Sequence, residues 1–181
     1  MRIPPWLVLI GAVGLFLALT TGGVVTADIL STAWMASTNA RKWAATLQST
    51  EDYYGIPAGL LARIAYQESH FIQSIIDGTR PSPAGALGVM QLMPQYFSSV
   101  QRPVPFSDAD TTDQINQAAD FLVSLYHHFQ DWTPAVAAYN AGQTAIDQVL
   151  AGSRALPSET AQYIAQVSAD LPQVVSPTLS V

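Results

Sequence analysis

The chain has 181 residues, enough for one domain with a real hydrophobic core, and 49% of them are apolar while only 11% are charged. Its formal net charge of −6 provides no basic footprint, so no nucleic-acid partner is expected. The absence of cysteine excludes disulfides, thiolate metal sites and a cysteine nucleophile. The histidines His70, His127 and His128 lack the i, i+4 spacing of a zinc-binding helix, so neither a metal nor a cofactor is predicted.

The first predicted element is an apolar segment without any charge, from Trp6 to Ala27. As a helix it would rise about 33 Å, close to the hydrocarbon thickness of a bilayer. Arg2 precedes it and favours a cytoplasmic N-terminus. Val25-Thr26-Ala27 also offers the small residues of a cleavage site. Residues 1–27 therefore predict a signal or transmembrane segment, with 6–27 contacting a membrane if retained; a soluble-core helix is a further alternative.

The rest of the chain predicts helices joined by polar loops. Residues 28–46 are interpreted as a helical connector, residues 47–172 as one compact domain and residues 173–181 as a flexible tail. A helix is predicted to start at Pro57, and "IIDGTRPSPAGALG" after it is typical of a loop. Further helices are predicted in "VMQLMPQYFSSV", "PFSDADTTDQINQAADFLVSLYHHF", "TPAVAAYNAG" and "PSETAQYIAQVSADL", the last with Ser158 as its N-cap. No alternating strand pattern is long enough to trust, so the predicted class is all-α.

Glu68 occupies an unusual place in the helix predicted from Pro57. Ile64 stands four residues before it and Ile72 four residues after it, so the three side chains are expected to share one helical face. That face is otherwise apolar, and an unpaired charge in an apolar interior is very costly. A carboxylate in this position calls for a chemical reason.

Four segments bear on that reason, and they occur in a fixed order along the chain. They are "ES" at Glu68-Ser69, "GVMQLMP" from Gly88 to Pro94, "AYNAG" from Ala138 to Gly142 and "PSETAQYIAQV" from Pro157 to Val167. Together they resemble the soluble lytic transglycosylase family, over roughly Leu47 to Leu171. The resemblance implies a goose-type lysozyme-like catalytic domain that cleaves the MurNAc–GlcNAc bond of peptidoglycan glycan strands and leaves 1,6-anhydroMurNAc ends.

The resemblance also implies site residues. Glu68 matches the catalytic glutamate, and the implied substrate-binding residues are Ser69, Ser82, Gln91, Met93, Tyr139, Asn140, Glu159 and Tyr163. Ser82 would orient an N-acetyl group, and Glu159 would be a second, non-nucleophilic acid. This chain departs from the family pattern by carrying "IIDGTR" as an insertion before Ser82. Structural alternatives stay open for several of them: core packing for Met93, ordinary helix tyrosines for Tyr139 and Tyr163, a helix cap for Asn140 and a helix-dipole partner for Glu159.

The implied chemistry explains the position of Glu68. A general acid must hold its proton near neutral pH, and burial beside Ile64, Ala65 and Ile72 is expected to raise the Glu68 pKa. Glycosidases usually need a second carboxylate. The acids in polar loop or helix-start contexts are interpreted as solvated caps, namely Asp77, Asp108, Asp110 and Asp131. A lytic transglycosylase would need none of them, because one glutamate protonates the leaving oxygen and then deprotonates the muramyl 6-hydroxyl.

Other functions stay open at this point. A muramidase of the same fold would hydrolyse the bond, and a catalytically silent lysozyme-like module would bind glycan or scaffold an envelope or virion complex. An inner-membrane-anchored or exported enzyme with its catalytic domain in the periplasm is expected. A phage lysis enzyme, a virion-borne wall-piercing enzyme and a secretion or conjugation accessory are all compatible, so virion or secretion-complex partners are alternatives.

Overall fold

The computed structural model describes residues 33–179. Over this range the chain forms helices, and its only strand-like feature is a bridge between Leu87 and Leu92. The predicted all-α class is therefore confirmed for the described residues. The α-helices are α1 (Thr38–Tyr54), α2 (Leu60–Ser69), α3 (Gln73–Ile76), α4 (Asp108–Phe129), α5 (Trp132–Ala141), α6 (Gln143–Leu150) and α7 (Ser158–Asp170).

The centre of the fold is α5, which packs against α4, α6 and α7. Its sequence is rich in alanine, and residues 135–138 are fully buried. Small side chains allow the surrounding helices to approach its backbone closely. The neighbouring α4 begins with a capping box formed by Ser107 and Asp110, which satisfies otherwise unpaired N–H groups. Both helices lie where the sequence predicts them.

The predicted connector is wrong as a separate element from Met35 onward. Helix α1 runs from Thr38 to Tyr54 across the predicted boundary, and Ser37 caps it by accepting a 3.1 Å hydrogen bond from the Ala40 N–H. Met35, Ala40 and Leu47 are fully buried in the core. Because Ala40, Ala44 and Leu47 share one buried face of the helix, α1 packs against α2 and α4 as part of the domain.

The predicted flexible tail is also wrong over its first residues. After α7 ends, a turn brings Val175 into the core, where it is fully buried. The N–H of Ser176 donates a 2.9 Å hydrogen bond to Oγ1 of Thr133 on α5. The buried valine and the bond to the central helix attach this segment to the domain.

Several helix boundaries differ from the sequence prediction. Helix α2 begins at Leu60 instead of Pro57, because Gly59 adopts a left-handed conformation (φ 84°) immediately before it. The segment around Pro94 forms turns followed by a 3-10 helix, Ser98–Val100, instead of an α-helix. Ser158 is the first residue of α7, and Pro157 occupies the cap position without a side-chain bond. Helices α3 and α6 are not predicted from the sequence.

The predicted signal or transmembrane segment, residues 1–27, lies outside the described residues. Among the residues that the structure describes, no helix combines the length and apolarity needed to cross a bilayer.

Candidate active site

Glu68 lies in the last turn of α2 and is half-buried. Ile64 and Ala65, which precede it on the same helix, are fully buried, as the sequence predicts. Ile72 does not share this face, because α2 ends at Ser69 and the next two residues, His70 and Phe71, adopt left-handed backbone conformations (φ 47° and 51°). The Ile72 side chain is consequently 42% exposed. The prediction that Ile72 shares the helical face of Glu68 is wrong.

The partner of Glu68 comes from α7. The Tyr163 hydroxyl donates a 2.7 Å hydrogen bond to Glu68 Oε1. Tyr163 is buried, and burial followed by the nearby charge of Glu68 raises its pKa well above the ordinary value for a tyrosine. Its hydroxyl therefore keeps its proton at neutral pH and acts as a donor to the carboxyl group. This bond to Glu68 distinguishes Tyr163 from an ordinary tyrosine on a helix.

The pKa of Glu68 is raised from 4.5 to about 7. Burial is the largest cause, since it disfavours the charged form. The hydrogen bond from Tyr163 lowers the pKa, and the negative charge of Glu159 raises it. Near neutral pH the group therefore populates both protonation states. This is the property required of a residue that must both donate and accept a proton.

A second glutamate shows that a raised pKa does not by itself mark an active site. Glu51 on α1 is fully buried, and burial raises its pKa to about 7 as well. Its carboxyl oxygens accept hydrogen bonds of 2.7 Å from the Gly59 N–H and 3.0 Å from the Ala62 N–H. Glu51 thus caps the start of α2, while Glu68, at the other end of the same helix, keeps contact with solvent. Sequence analysis missed Glu51, although it stands four residues after Leu47 on the buried face of α1.

Tyr139 connects α5 to the loop of the "GVMQLMP" segment. Its hydroxyl donates a 2.9 Å hydrogen bond to the Met90 carbonyl, and its ring lies 5.7 Å from that of Phe121. Burial, and next the charge of Glu68, raise the Tyr139 pKa well above its ordinary value. Tyr139 therefore lies within electrostatic reach of Glu68 and holds the adjacent loop in place.

The side chains of this loop divide between core and surface. Met90 and Leu92 are buried, whereas Gln91 and Met93 are half-buried and remain open to solvent. Gln91 adopts a left-handed backbone conformation (φ 48°), and its Nε2 donates a 3.0 Å hydrogen bond to the Gly88 carbonyl. Gln91 and Met93 are thus available to line a groove, and full core packing is excluded for Met93.

Gly88 is required at the start of the loop for two reasons. Its φ of 79° disfavours any residue with a Cβ, and a Cβ built there would lie 1.9 Å from Oε1 of Gln114. That same oxygen accepts a 3.3 Å hydrogen bond from the Val89 N–H. The side chain of Gln114, fully buried on α4, therefore fixes the loop against the helix core.

Ser69 and Ser82 make contacts within the protein. Ser69 is fully buried; its hydroxyl donates to the Ala65 carbonyl (2.8 Å) and accepts from the Phe71 N–H (3.2 Å). The hydroxyl thus makes its donated and its accepted hydrogen bond within the protein, at the end of α2. The predicted substrate contact is therefore wrong for this side chain. Ser82 is half-buried, and its Oγ accepts a 2.9 Å bond from the Ala86 N–H in its own loop. Its predicted role toward an N-acetyl group stays a prediction.

Asn140 and Glu159 lie where α5 meets the start of α7. The Asn140 side-chain oxygen accepts a 2.8 Å hydrogen bond from the Thr160 hydroxyl, and Gly142, not Asn140, is the C-cap of α5. Glu159 is exposed in the first turn of α7, where a negative charge interacts favourably with the helix dipole. Its charge also reaches Glu68, so a structural and an electrostatic role coexist. Among residues 33–179, no group of three or more histidine, aspartate or glutamate side chains could hold a metal ion.

The arrangement around Glu68 is a single acid in a tyrosine-lined, partly desolvated site next to an accessible loop. Comparison with protein families agrees with it: the sequence model of the transglycosylase SLT domain matches residues 45–162. The match begins within α1 and includes Glu68, the "GVMQLMP" loop and Glu159, while Tyr163 follows directly after its last residue. It covers well over half of the chain, and the all-α fold is consistent with the lysozyme-like architecture expected for such a domain. The chain belongs to the transglycosylase SLT domain family.

Proposed function

We propose that the protein cleaves the MurNAc–GlcNAc bond of peptidoglycan with Glu68 as sole acid and base, leaving 1,6-anhydroMurNAc ends. Family membership implies lytic transglycosylase activity on peptidoglycan glycan strands. The observation that carries the proposed mechanism is the state of Glu68, a half-buried carboxyl with a pKa of about 7 and one oxygen held by Tyr163. This group can give up a proton and take one back at the same pH.

The reaction proceeds in two proton transfers. Protonated Glu68 donates its proton to the glycosidic oxygen, the bond from this oxygen to C1 of MurNAc breaks, and positive charge develops on the muramyl ring. The resulting carboxylate then accepts the proton of the C6 hydroxyl while O6 forms a bond to C1. No water is consumed, and Glu68 ends protonated as it began. The nucleophile belongs to the same sugar, so its attack has the entropic advantage of an intramolecular reaction.

The hydrogen bond from Tyr163 makes the two carboxyl oxygens of Glu68 inequivalent. Because its hydroxyl donates to Oε1, we assign the proton transfers to Oε2. The burial of Tyr163 keeps this donor fixed, so the carboxyl plane does not rotate between the two steps. Tyr139 maintains the position of the loop carrying Gln91 and Met93, and we assign those two side chains to the wall that contacts the glycan.

A muramidase is the second candidate, and the charge of Glu159 favours it. Hydrolysis requires a second carboxylate that attacks C1 or activates a water molecule. Glu159 is the carboxylate that acts on the Glu68 pKa. It is, however, an exposed residue in a helix start. An exposed carboxylate neither excludes bulk water nor holds one water molecule in a fixed place. For that reason we favour the transglycosylase.

Mass spectrometry of muropeptides released from purified sacculi tests the proposal. We expect fragments ending in 1,6-anhydroMurNAc, which borohydride does not reduce. Glu68→Gln keeps the shape of the side chain but cannot transfer a proton, and should release none while remaining folded. Fragments with reducible muramic acid would identify a muramidase. Equal release by the wild type and the folded Glu68→Gln variant would refute the assignment of Glu68, and no release by the folded wild type would indicate a glycan-binding module without catalysis.

We also propose that the enzyme works in the periplasm, anchored in the inner membrane or exported through residues 6–27. The support is the charge-free apolar segment after Arg2, because a membrane-inserted segment with Arg2 on the cytoplasmic side would have Asp28 and the residues after it on the side of the peptidoglycan. Glycines and threonines weaken the insertion of this segment, so we propose an anchor that inserts but can be released. Such a device suits phage lysis, although a virion-borne enzyme and a secretion or conjugation accessory would use the same catalytic domain.

A further inference from the structure

Helices α2 and α7 are joined by polar contacts that form a ladder. Arg63 Nε donates a 2.6 Å hydrogen bond to Oδ2 of Asp170, and one helical turn further along α2 the side chains of Gln67 and Gln166 bond to each other. The next contact is the bond from Tyr163 to Glu68. Residue numbers rise along α2 as they fall along α7, so the helices are antiparallel and the ladder leads directly to the catalytic carboxyl.

Arg63 is the fixed point of this ladder. Besides its bond to Asp170, its Nη2 donates to the Gln166 carbonyl (2.9 Å) and its Nη1 donates to Gln67 Oε1 (3.0 Å). The residue is only 5% exposed, and its guanidinium lies 5.3 Å from the ring centre of Tyr66. A buried, planar group with three bonds in fixed directions has little freedom to move.

The two attachment points on α7 determine how this helix can slide or rotate. Asp170 and Gln166 are one turn apart on α7, so a group bound to both resists sliding along the helix axis as well as rotation about it. A slip of one residue would move the Tyr163 hydroxyl by about 1.5 Å along the axis. Because one residue also corresponds to a rotation of about 100° about the helix axis, such a slip would turn the hydroxyl away from Glu68 and break the 2.7 Å bond. Whether Tyr163 reaches Glu68 depends on the register of the two helices.

We propose that Arg63, through Asp170 and Gln166, is a positioning residue for catalysis: it sets the register of α7 on α2 and so holds the Tyr163 hydroxyl on Glu68. The proposal rests on the proposed acid–base role of Glu68. It assigns to the Arg63–Asp170 ion pair a function beyond stability, because the same two helices carry the catalytic carboxyl and its hydrogen-bond donor.

The titratable groups that face Glu68 determine the sign of the expected effect. Tyr163 and Glu159 act on it from α7, and Glu68 in turn acts on Tyr139 of α5. Of these, the Tyr163 bond lowers the Glu68 pKa. A variant that shifts the register loses this bond and should raise the Glu68 pKa, whereas a variant that only destabilises the fold should leave the pKa of the folded molecules unchanged.

The test is an NMR titration of the Glu68 carboxyl carbon in the full chain, without substrate. Arg63→Lys keeps the positive charge but loses the planar fork, so it removes the anchor without removing the charge. We expect the Glu68 titration midpoint to rise by about 0.5 pH or more, and kcat on sacculi to fall about tenfold. Lys42→Gln, which breaks the exposed 2.6 Å ion pair to Asp108, is the matched control and should change neither.

A double variant separates positioning from other effects. In a Tyr163→Phe background the bond is already absent, so adding Arg63→Lys should not raise the Glu68 midpoint further. An unmoved midpoint in the folded Arg63→Lys single variant, or the same rise with and without the Tyr163 hydroxyl, would overturn the proposal. If Arg63→Lys does not fold, Asp170→Asn, at the partly exposed end of the pair, is held to the same outcomes. The titration needs no activity, so it decides the proposal even if the wild type fails to release anhydromuropeptides.

Discussion

The hydroxyl of Tyr163 donates a 2.7 Å hydrogen bond to Oε1 of Glu68, across 95 residues of sequence. This bond opposes the effect of burial on the Glu68 pKa, and the charge of Glu159 adds to burial. The resulting pKa of about 7 is a balance of opposed influences. Variants that remove one influence at a time should therefore move the pH dependence of the enzyme in opposite directions.

Removing the charge of Glu159 should move the alkaline limb of the pH profile of kcat/KM to lower pH. The negative charge of Glu159 raises the Glu68 pKa, so Glu159→Gln lowers it, and the acid form of Glu68 is lost earlier as pH rises. Lysis at pH 6 and the anhydro product should both be retained. Asp120→Asn removes an equal charge from the exposed face of α4 and serves as the control. Loss of lysis at all pH values in Glu159→Gln alone would instead indicate a catalytic base and a muramidase.

Removing the Tyr163 hydroxyl should move the same limb in the other direction. Its bond stabilises the carboxylate form, so Tyr163→Phe raises the Glu68 pKa, and the acid form persists to higher pH. The turnover number should fall about tenfold, since the carboxyl loses its fixed orientation. Tyr53→Phe, at a residue that is 83% exposed, should behave as the wild type. A limb that moves to lower pH would show that the hydroxyl does not bond to the ionised carboxyl.

The stability of the fold should decrease with rising pH because of Glu51. Its folded pKa, about 7, lies above the ordinary value of 4.5, so the folded state binds the proton more tightly than the unfolded state does. The corresponding stability is fully present below pH 4.5 and is lost as pH rises through about 7. The loss expected from this group is on the order of 3 kcal/mol.

Urea unfolding of the wild type and Glu51→Gln at pH 4.5 and pH 8 measures this contribution. The glutamine cannot ionise, so the difference in unfolding free energy between the two pH values should be smaller in the variant by about 3 kcal/mol. Its stability at pH 4.5 should itself be lower by about 1 kcal/mol, because an amide matches two backbone N–H donors less well than a protonated carboxyl does. An identical pH dependence in the two proteins would contradict the assignment.

Replacing Gly88 by alanine should be far more damaging than replacing Gly85. Both glycines have positive φ angles, 79° and 88°, but a Cβ at Gly88 meets the Gln114 side chain at 1.9 Å, whereas a Cβ at Gly85 meets nothing within 4 Å. Gly85→Ala should cost about 1 kcal/mol of unfolding free energy, from backbone conformation alone. Gly88→Ala should cost more than about 3 kcal/mol and reduce lysis, because Gln114 can no longer hold the loop. Equal costs in denaturant unfolding would show that Gln114 moves aside freely.

The N-terminal segment should keep the full-length chain in the membrane fraction of expressing cells. Its glycines weaken insertion, so dissipating the membrane potential should release part of the full-length protein into the periplasm. Changing the segment's glycines to leucine should prevent this release; they are Gly11, Gly14, Gly22 and Gly23. Intact-mass measurement of each fraction provides the readout. A mature form that begins near Asp28 would mean that the segment is a cleaved signal, and retention without any release would mean a permanent anchor.

Local sequence signals determined a large part of this protein. The apolar spacing and capping residues predict α4 and α5 where they occur, because both signals lie within the helix that they specify. The order of the four motif segments identified Glu68 and the family, and the burial of Ile64 and Ala65 agrees with the predicted desolvation. These features depend on residues that are close together in the chain.

The tertiary structure alone decided which groups contact Glu68. Helical periodicity continued through Ile72, but a buried Ser69 hydroxyl and two left-handed residues end α2 first. Nothing local indicates that Glu51 caps α2 or that Arg63 sets the register of α7, since each contact depends on how whole helices pack. A hydrogen bond tolerates a change of only a few tenths of an ångström in its donor–acceptor distance, whereas sequence patterns specify only faces and turns. Glu68 could thus be singled out from the sequence as the candidate catalytic residue, and its pKa follows only from the packing of α2 against α7.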